Sequence, residues 1–267
     1  MSFRHAMGVF GTTAGRRARY KWVMTSFPHA MADTPSAESS PTKPTQSKRI
    51  RYFELCLVLL VALSTPFLNS LVLLFRGPSA LGQISSFRWI NGSLHEIIAL
   101  ALLGYVLARR GRRFRDLGLR WSVRDCGVGL IVAVVSYISY LAAGIVLQSI
   151  HFALVGGMAT GNSSQAFFGH PGLPAVPYTL LNPFFEELIV RAYLMAEILE
   201  LTGSSALAIV VSVLVQTSYH LYYGWFGAAC LAFPFLVFAL YFARYRRALP
   251  VIVAHEVWDL IGLIRLW

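Results

Sequence analysis

Charge is what this sequence has least of. Only 13% of its 267 residues are Asp, Glu, Lys or Arg, about half the share of roughly 25% that a soluble domain carries. Acidic residues are scarcest, 12 against 23 basic ones. Cysteine is almost missing. Cys56, Cys126 and Cys230 are an odd number, scattered and without CxxC spacing, so neither a disulfide framework nor a zinc knuckle follows. What is abundant is apolar: 56% hydrophobic residues and a mean hydropathy of +0.59. That excess excludes an ordinary water-soluble globule, and it excludes a disordered chain, which lacks apolar residues. The expected fold class is all-α, a polytopic transmembrane bundle of about seven spans.

A net charge of +11 raises the question of nucleic acid, and the positions of the charges answer it. Nine basic residues lie at or before Arg51, seven fall between Arg109 and Arg124, and three lie at Arg244, Arg246 and Arg247. These are linkers between apolar runs, not a face on a soluble fold, so no nucleic-acid partner is expected. Residues 1–50 are basic and rich in Ser, Thr and Pro, with too little apolar surface to offset the entropy of ordering. They read as a disordered tail. Met31 opens the more ordinary-looking start MADTPSAESS, and translation from it is an expectation that mass spectrometry of the native N-terminus checks.

About 20 apolar residues cross a bilayer as helix. Candidate spans lie near 53–75, 89–108, 127–149, 174–199, 204–223, 226–243 and 249–266, making 51–267 one transmembrane domain. Seven crossings from a cytosolic N-terminus put the tail and the linkers 109–126, 200–203 and 244–248 inside. Those segments hold 19 of the 23 basic residues, while the external 150–173 linker holds no Lys or Arg. The positive-inside rule therefore agrees with a multi-pass protein of the cell membrane with its N-terminus in the cytosol. The segment RRGRRFRDLGLRW also reads as an interfacial piece, its arginines meeting anionic headgroups while Phe114, Leu117, Leu119 and Trp121 dip into the leaflet.

An ionisable side chain in hydrocarbon costs a few kcal/mol, so such residues are the functional candidates. Glu54 lies at a span end, where snorkelling accounts for it. His95 and Glu96 lie deeper, fitting an inter-helix hydrogen bond or a functional role equally. The fourth span carries Glu186, Glu187 and Arg191 near its middle. Glu187 and Arg191 are spaced i, i+4 and can pair, leaving Glu186, about 100° around the helix, free to face a cavity. The fifth span brings His220. The seventh brings His255 and Asp259, again i, i+4, and Glu256 on another face.

Carboxylates and imidazoles from three spans suit water activation, and the same groups can ligate a divalent metal. Counting at 1.5 Å per residue from the cytosolic ends puts Glu186 roughly 20 Å deep, His220 roughly 24 Å and His255 roughly 9 Å. A common chamber has to absorb a spread on the order of 15 Å.

At these residues the sequence resembles the CPBP family, the CAAX proteases and bacteriocin-processing enzymes also called Abi proteins. The EExxxR motif stands as Glu186-Glu187-Leu-Ile-Val-Arg191. FxxxH stands as Gln216-Thr-Ser-Tyr-His220, with Gln replacing Phe, and HxxxN/D as His255-Glu-Val-Trp-Asp259. Order and span placement match over a motif-bearing core of about 174–266. The resemblance implies an intramembrane endopeptidase acting on a peptide or protein substrate at the lipid bilayer. Glu186 would be the general base and His220 would position the water. His255 and Asp259 would support the oxyanion or complete the site, and Arg191 would hold Glu187. Two alternatives stay open on the cofactor: a divalent metal such as zinc held by Glu186, His220 and His255, or none. The competing functional readings are a non-catalytic immunity or scaffold protein that keeps the fold, and an ion-coupled transporter.

Overall fold

The computed structural model describes residues 47–77, 86–161 and 171–266. The expected tail lies outside them except for its last four residues, as does the Met31 start. Among the described residues the chain is helical, with no strand, in seven runs that coincide with the seven expected segments. They are α1 (Lys48–Arg76), α2 (Ser86–Arg109), α3 (Val123–Val155), a run made of α4 (Ala175–Glu186), a π-helical segment (Glu187–Tyr193) and α5 (Leu194–Thr202), then α6 (Ser205–Tyr219), α7 (Gly224–Tyr245) and α8 (Leu249–Leu266). Short 3₁₀ turns occupy Phe114–Leu117 and Leu221–Tyr223.

Among the described residues four stretches are long and apolar enough to cross a membrane: Lys48–Arg76, Ser86–Arg109, Val123–Val155 and Leu221–Tyr245. Their apolar side chains mostly point outward. On α3, Leu130, Ile131, Val134, Ile138 and Ile145 are all exposed. In water such a face would be an aggregation surface; in hydrocarbon it is an ordinary exterior. The fourth run is the opposite case. Every residue of the π segment is buried, as expected of a helix surrounded on all sides.

The run-to-run turns are capped by local chemistry. Ser47 accepts from the Ile50 N–H to start α1, and Ser204 accepts from the Leu207 N–H to start α6. Gly203 closes α5 at φ +74°, a conformation that suits glycine.

The cytosol-assigned linker packs differently from its reading as a leaflet-dipping piece. Leu117 is buried in the protein core, with Phe114 and Leu119 packed against it; Trp121 alone of the four is strongly exposed. The segment lies under the turn between α7 and α8, where the Ala248 N–H donates to the Gly118 carbonyl at 3.0 Å. Gly118 has φ +91°, and a Cβ there would stand 2.3 Å from the Arg246 carbonyl oxygen. Only glycine fits so close an approach. Ala248, Leu249, Val251 and Ile252 are all buried, so α8 starts inside the protein rather than at its surface.

Glu54 does not snorkel either. It is 3% exposed, and its Oε2 accepts from Arg110 Nε at 2.8 Å. Arg110 also donates to Glu197 at 2.6 Å. Arg51 reaches Glu197 at 2.9 Å and Glu200 at 2.8 Å. This network ties α1, the end of α2 and α5 together at one end of the molecule.

Candidate active site

The site begins with an interruption in the fourth run. Pro183 lies within α4 and has no N–H to give to the preceding turn. Four residues later the backbone widens into the π segment, a form that concentrates at functional sites. The last residue of α4 is Glu186 and the first of the π segment is Glu187, so the change of register falls between the two adjacent carboxylates.

Glu187 and Arg191 are both fully buried. The Arg191 Nε lies 3.5 Å from Glu187 Oε2, but no hydrogen bond joins these two atoms. The guanidinium spends its bonds elsewhere. It donates to Ser212 Oγ at 2.6 Å, to the Phe235 carbonyl at 3.2 Å and, by a short contact, to Gln216 Oε1. Arg191 thus fastens the π segment to α6 and α7, and its pairing with Glu187 is electrostatic.

Gln216 is the hub. Its Nε2 donates to Glu186 Oε2 at 2.9 Å and to Glu187 Oε1 at 3.2 Å, while its Oε1 accepts from Arg191. The position where the family motif carries Phe is therefore a buried amide that satisfies both signs of charge at once. A second donor reaches Glu186 from the next turn of α6, the Tyr219 hydroxyl at 2.8 Å on Oε2. Both donors fall on Oε2; among the described residues none falls on Oε1.

The histidines are held from their Nδ1 sides. His220 Nδ1–H donates to the Gln216 carbonyl at 2.9 Å, which leaves Nε2 as the ring's open nitrogen. His255 Nδ1–H donates to Glu187 Oε1 at 2.8 Å, and its Nε2 lies 3.6 Å from Asp259 Oδ1. Asn182 Nδ2 donates to the other Asp259 oxygen at 3.1 Å.

One cavity of about 1110 Å³ is lined by Glu186, His220, His255 and Asp259 together, with Glu96, Asn182, Tyr178 and Tyr219. Glu187 stands behind that wall and braces it. The depth spread implied by residue counting disappears because the α7–α8 turn is buried, which carries His255 inward to the level of Glu187.

Three residues of this site went unassigned in the sequence. Tyr219 and Asn182 carry no family motif. A signal did exist for each: Tyr219 sits next to His220, and Asn182 precedes Glu186 by one helical turn. Gln216 was visible as a departure from the motif, but its partners were not. His95 resolves as an inter-helix hydrogen bond, its Nε2–H donating to the Ala62 carbonyl at 2.9 Å. Glu96 remains in the cavity wall, 2% exposed, with no partner for Oε2 among the described residues.

Among the described residues no three His, Cys, Asp or Glu side chains are grouped as metal ligands. His255 Nδ1 is committed to Glu187, and its Nε2 lies 3.6 Å from Asp259 Oδ1. Glu186, His220 and His255 therefore share a cavity without forming a metal-ligand cluster.

Residues 168–261 match the family model described as type II CAAX prenyl endopeptidase Rce1-like. That stretch contains all three motifs and both walls of the carboxylate–histidine constellation. The match supports the assignment to the CAAX protease family that the motifs carry. No curated protein and no solved structure matches the chain.

Proposed function

We propose that the protein is an intramembrane endopeptidase that hydrolyses a peptide bond of a membrane-associated substrate, with Glu186 as general base. The observation that carries this reading is the asymmetry of the Glu186 carboxylate. Oε2 is committed to Gln216 and Tyr219, and the carboxylate lines a cavity it shares with His220. A carboxylate fixed by one oxygen and open at the other is suited to take a proton from water.

In this mechanism Glu186 Oε1 accepts a proton from a water that also hydrogen-bonds to His220 Nε2. The water oxygen forms a bond to the carbonyl carbon, and the carbonyl pair moves onto oxygen. The C–N bond then breaks as the protonated Glu186 returns its proton to the leaving amine. Glu187, Arg191 and Gln216 do not touch substrate. They hold Glu186 and His255 in place, as a rigid support to the reacting groups requires. No step runs through a metal.

The seven runs are proposed to cross the cell membrane with the N-terminus in the cytosol, and residues 51–267 to form one domain. The outward apolar faces of α1, α2 and α3 support this reading.

Purified protein in detergent, incubated with a prenylated CAAX peptide and with a hydrophobic leader-peptide reporter, tests the activity. Cleavage by wild type and loss of it in Glu186→Ala and His220→Ala, both still accumulating in the membrane, is the expected result. Cleavage retained by both variants refutes the assignment.

A further inference from the structure

Asp259 poses a chemical problem for the mechanism. The oxygen of the tetrahedral intermediate needs hydrogen-bond donors, and an ionised carboxylate has no proton to offer. One Asp259 oxygen already accepts from Asn182 Nδ2 at 3.1 Å, and the other lies 3.6 Å from His255 Nε2. We infer that Asn182 supplies the oxyanion's hydrogen bond, and that Asp259 aims it. This inference rests on the protease reading above.

Three observations carry it. Asn182 lines the same cavity as Glu186, His220 and Asp259. It lies one turn before Glu186 within α4, so the two side chains share a face. Their separation along the axis, about 6 Å at 1.5 Å per residue, leaves room for a reacting carbonyl roughly 3 Å from each group. Finally, the bond to Asp259 settles which end of the amide is which: a carboxylate only accepts, so the NH₂ faces Asp259. One of its two hydrogens goes to Asp259. The other meets no acceptor among the described residues.

In the step itself Asn182 transfers no proton. As the water oxygen bonds to the carbonyl carbon, negative charge gathers on the carbonyl oxygen, and the free amide N–H donates to it. The bond is lost when the intermediate collapses and the amine leaves. Asp259 is a positioning residue here, holding the amide and balancing His255.

The test uses full-length protein in detergent with a cleaved reporter peptide and a phosphonate analogue of it, which imitates the tetrahedral state. Asn182→Ala should lower kcat by about 100- to 1000-fold with KM within about twofold, and should weaken the phosphonate by a similar factor. The exchange Asn182→Asp with Asp259→Asn keeps the pair while moving the amide to position 259. It should recover at least about tenfold in kcat over Asn182→Ala, and it remains informative if Asn182→Ala does not accumulate. Asn182→Ala with kcat within about threefold of wild type overturns the inference. So does a fall in kcat without weaker phosphonate binding, or an exchange variant no better than the single one. Glu186→Gln separates the levels: if it still cleaves, the mechanism with Glu186 as general base fails. If it is inactive while Asn182→Ala is normal, only the role of Asn182 falls.

Discussion

The side-chain amide of Gln216 donates to Glu186 Oε2 across 2.9 Å, joining α6 to the turn where the fourth run changes from α to π. The same amide also serves Glu187 and Arg191. Gln216→Phe, although it restores the family's own motif residue, should therefore be damaging. It leaves a buried guanidinium and two carboxylates short of a partner, a loss of about 3 kcal/mol or more. Thermal unfolding in detergent checks this; an unchanged midpoint would contradict it.

Much of the fold was legible because hydrocarbon demands long apolar runs, and the seven runs appear as hydropathy alone. The paired acids and the histidines were legible because charge inside such runs is rare. Other features were hidden for physical reasons. The π segment depends on how residues 187–193 pack on all sides, and only Pro183 hinted at it. Phe114, Leu117 and Leu119 form an amphipathic pattern that fits a lipid leaflet and a protein groove equally well. The partner of Glu54 is Arg110, 56 residues away, a separation no local rule anticipates. Residue counting misplaced His255 because it set every turn at the membrane surface, whereas the turn before α8 is buried.

Tyr219→Phe removes one of the two donors on Glu186 Oε2 and nothing else in the carboxylate's surroundings. A hydrogen bond to a charged group is worth about 1.5–3 kcal/mol, so kcat should fall about 10- to 100-fold while the protein folds normally. Steady-state kinetics with a reporter peptide measures this. Activity equal to wild type would show that the hydroxyl does not steady the base.

The ion-pair network at the far end should divide sharply by burial. Arg110 is almost enclosed between Glu54 and Glu197, and Arg110→Ala takes the shared guanidinium from both acids, leaving Glu197 to Arg51 and Glu54 to the more distant Arg109, at a cost of about 3 kcal/mol. Arg112 pairs with Glu200 at the surface, so Arg112→Ala should stay within about 1 kcal/mol. Unfolding midpoints of the two variants, compared side by side, decide it. Equal effects would mean that Arg51 and Arg109 suffice for the enclosed carboxylates.

Chelation should leave cleavage intact. With no three ligating side chains grouped among the described residues, prolonged dialysis against EDTA or 1,10-phenanthroline is expected to leave kcat unchanged. Loss of activity that zinc restores would show that the site rearranges to hold an ion.

The most direct measurement is the turnover of Glu186→Gln beside wild type, on the same reporter peptide and at matched protein levels. This substitution keeps the size of the side chain and removes the basic oxygen. The account predicts cleavage reduced by at least about 1000-fold, with the unfolding midpoint close to that of wild type. Turnover within about tenfold of wild type would contradict it, because the water would then be activated by some group other than Glu186.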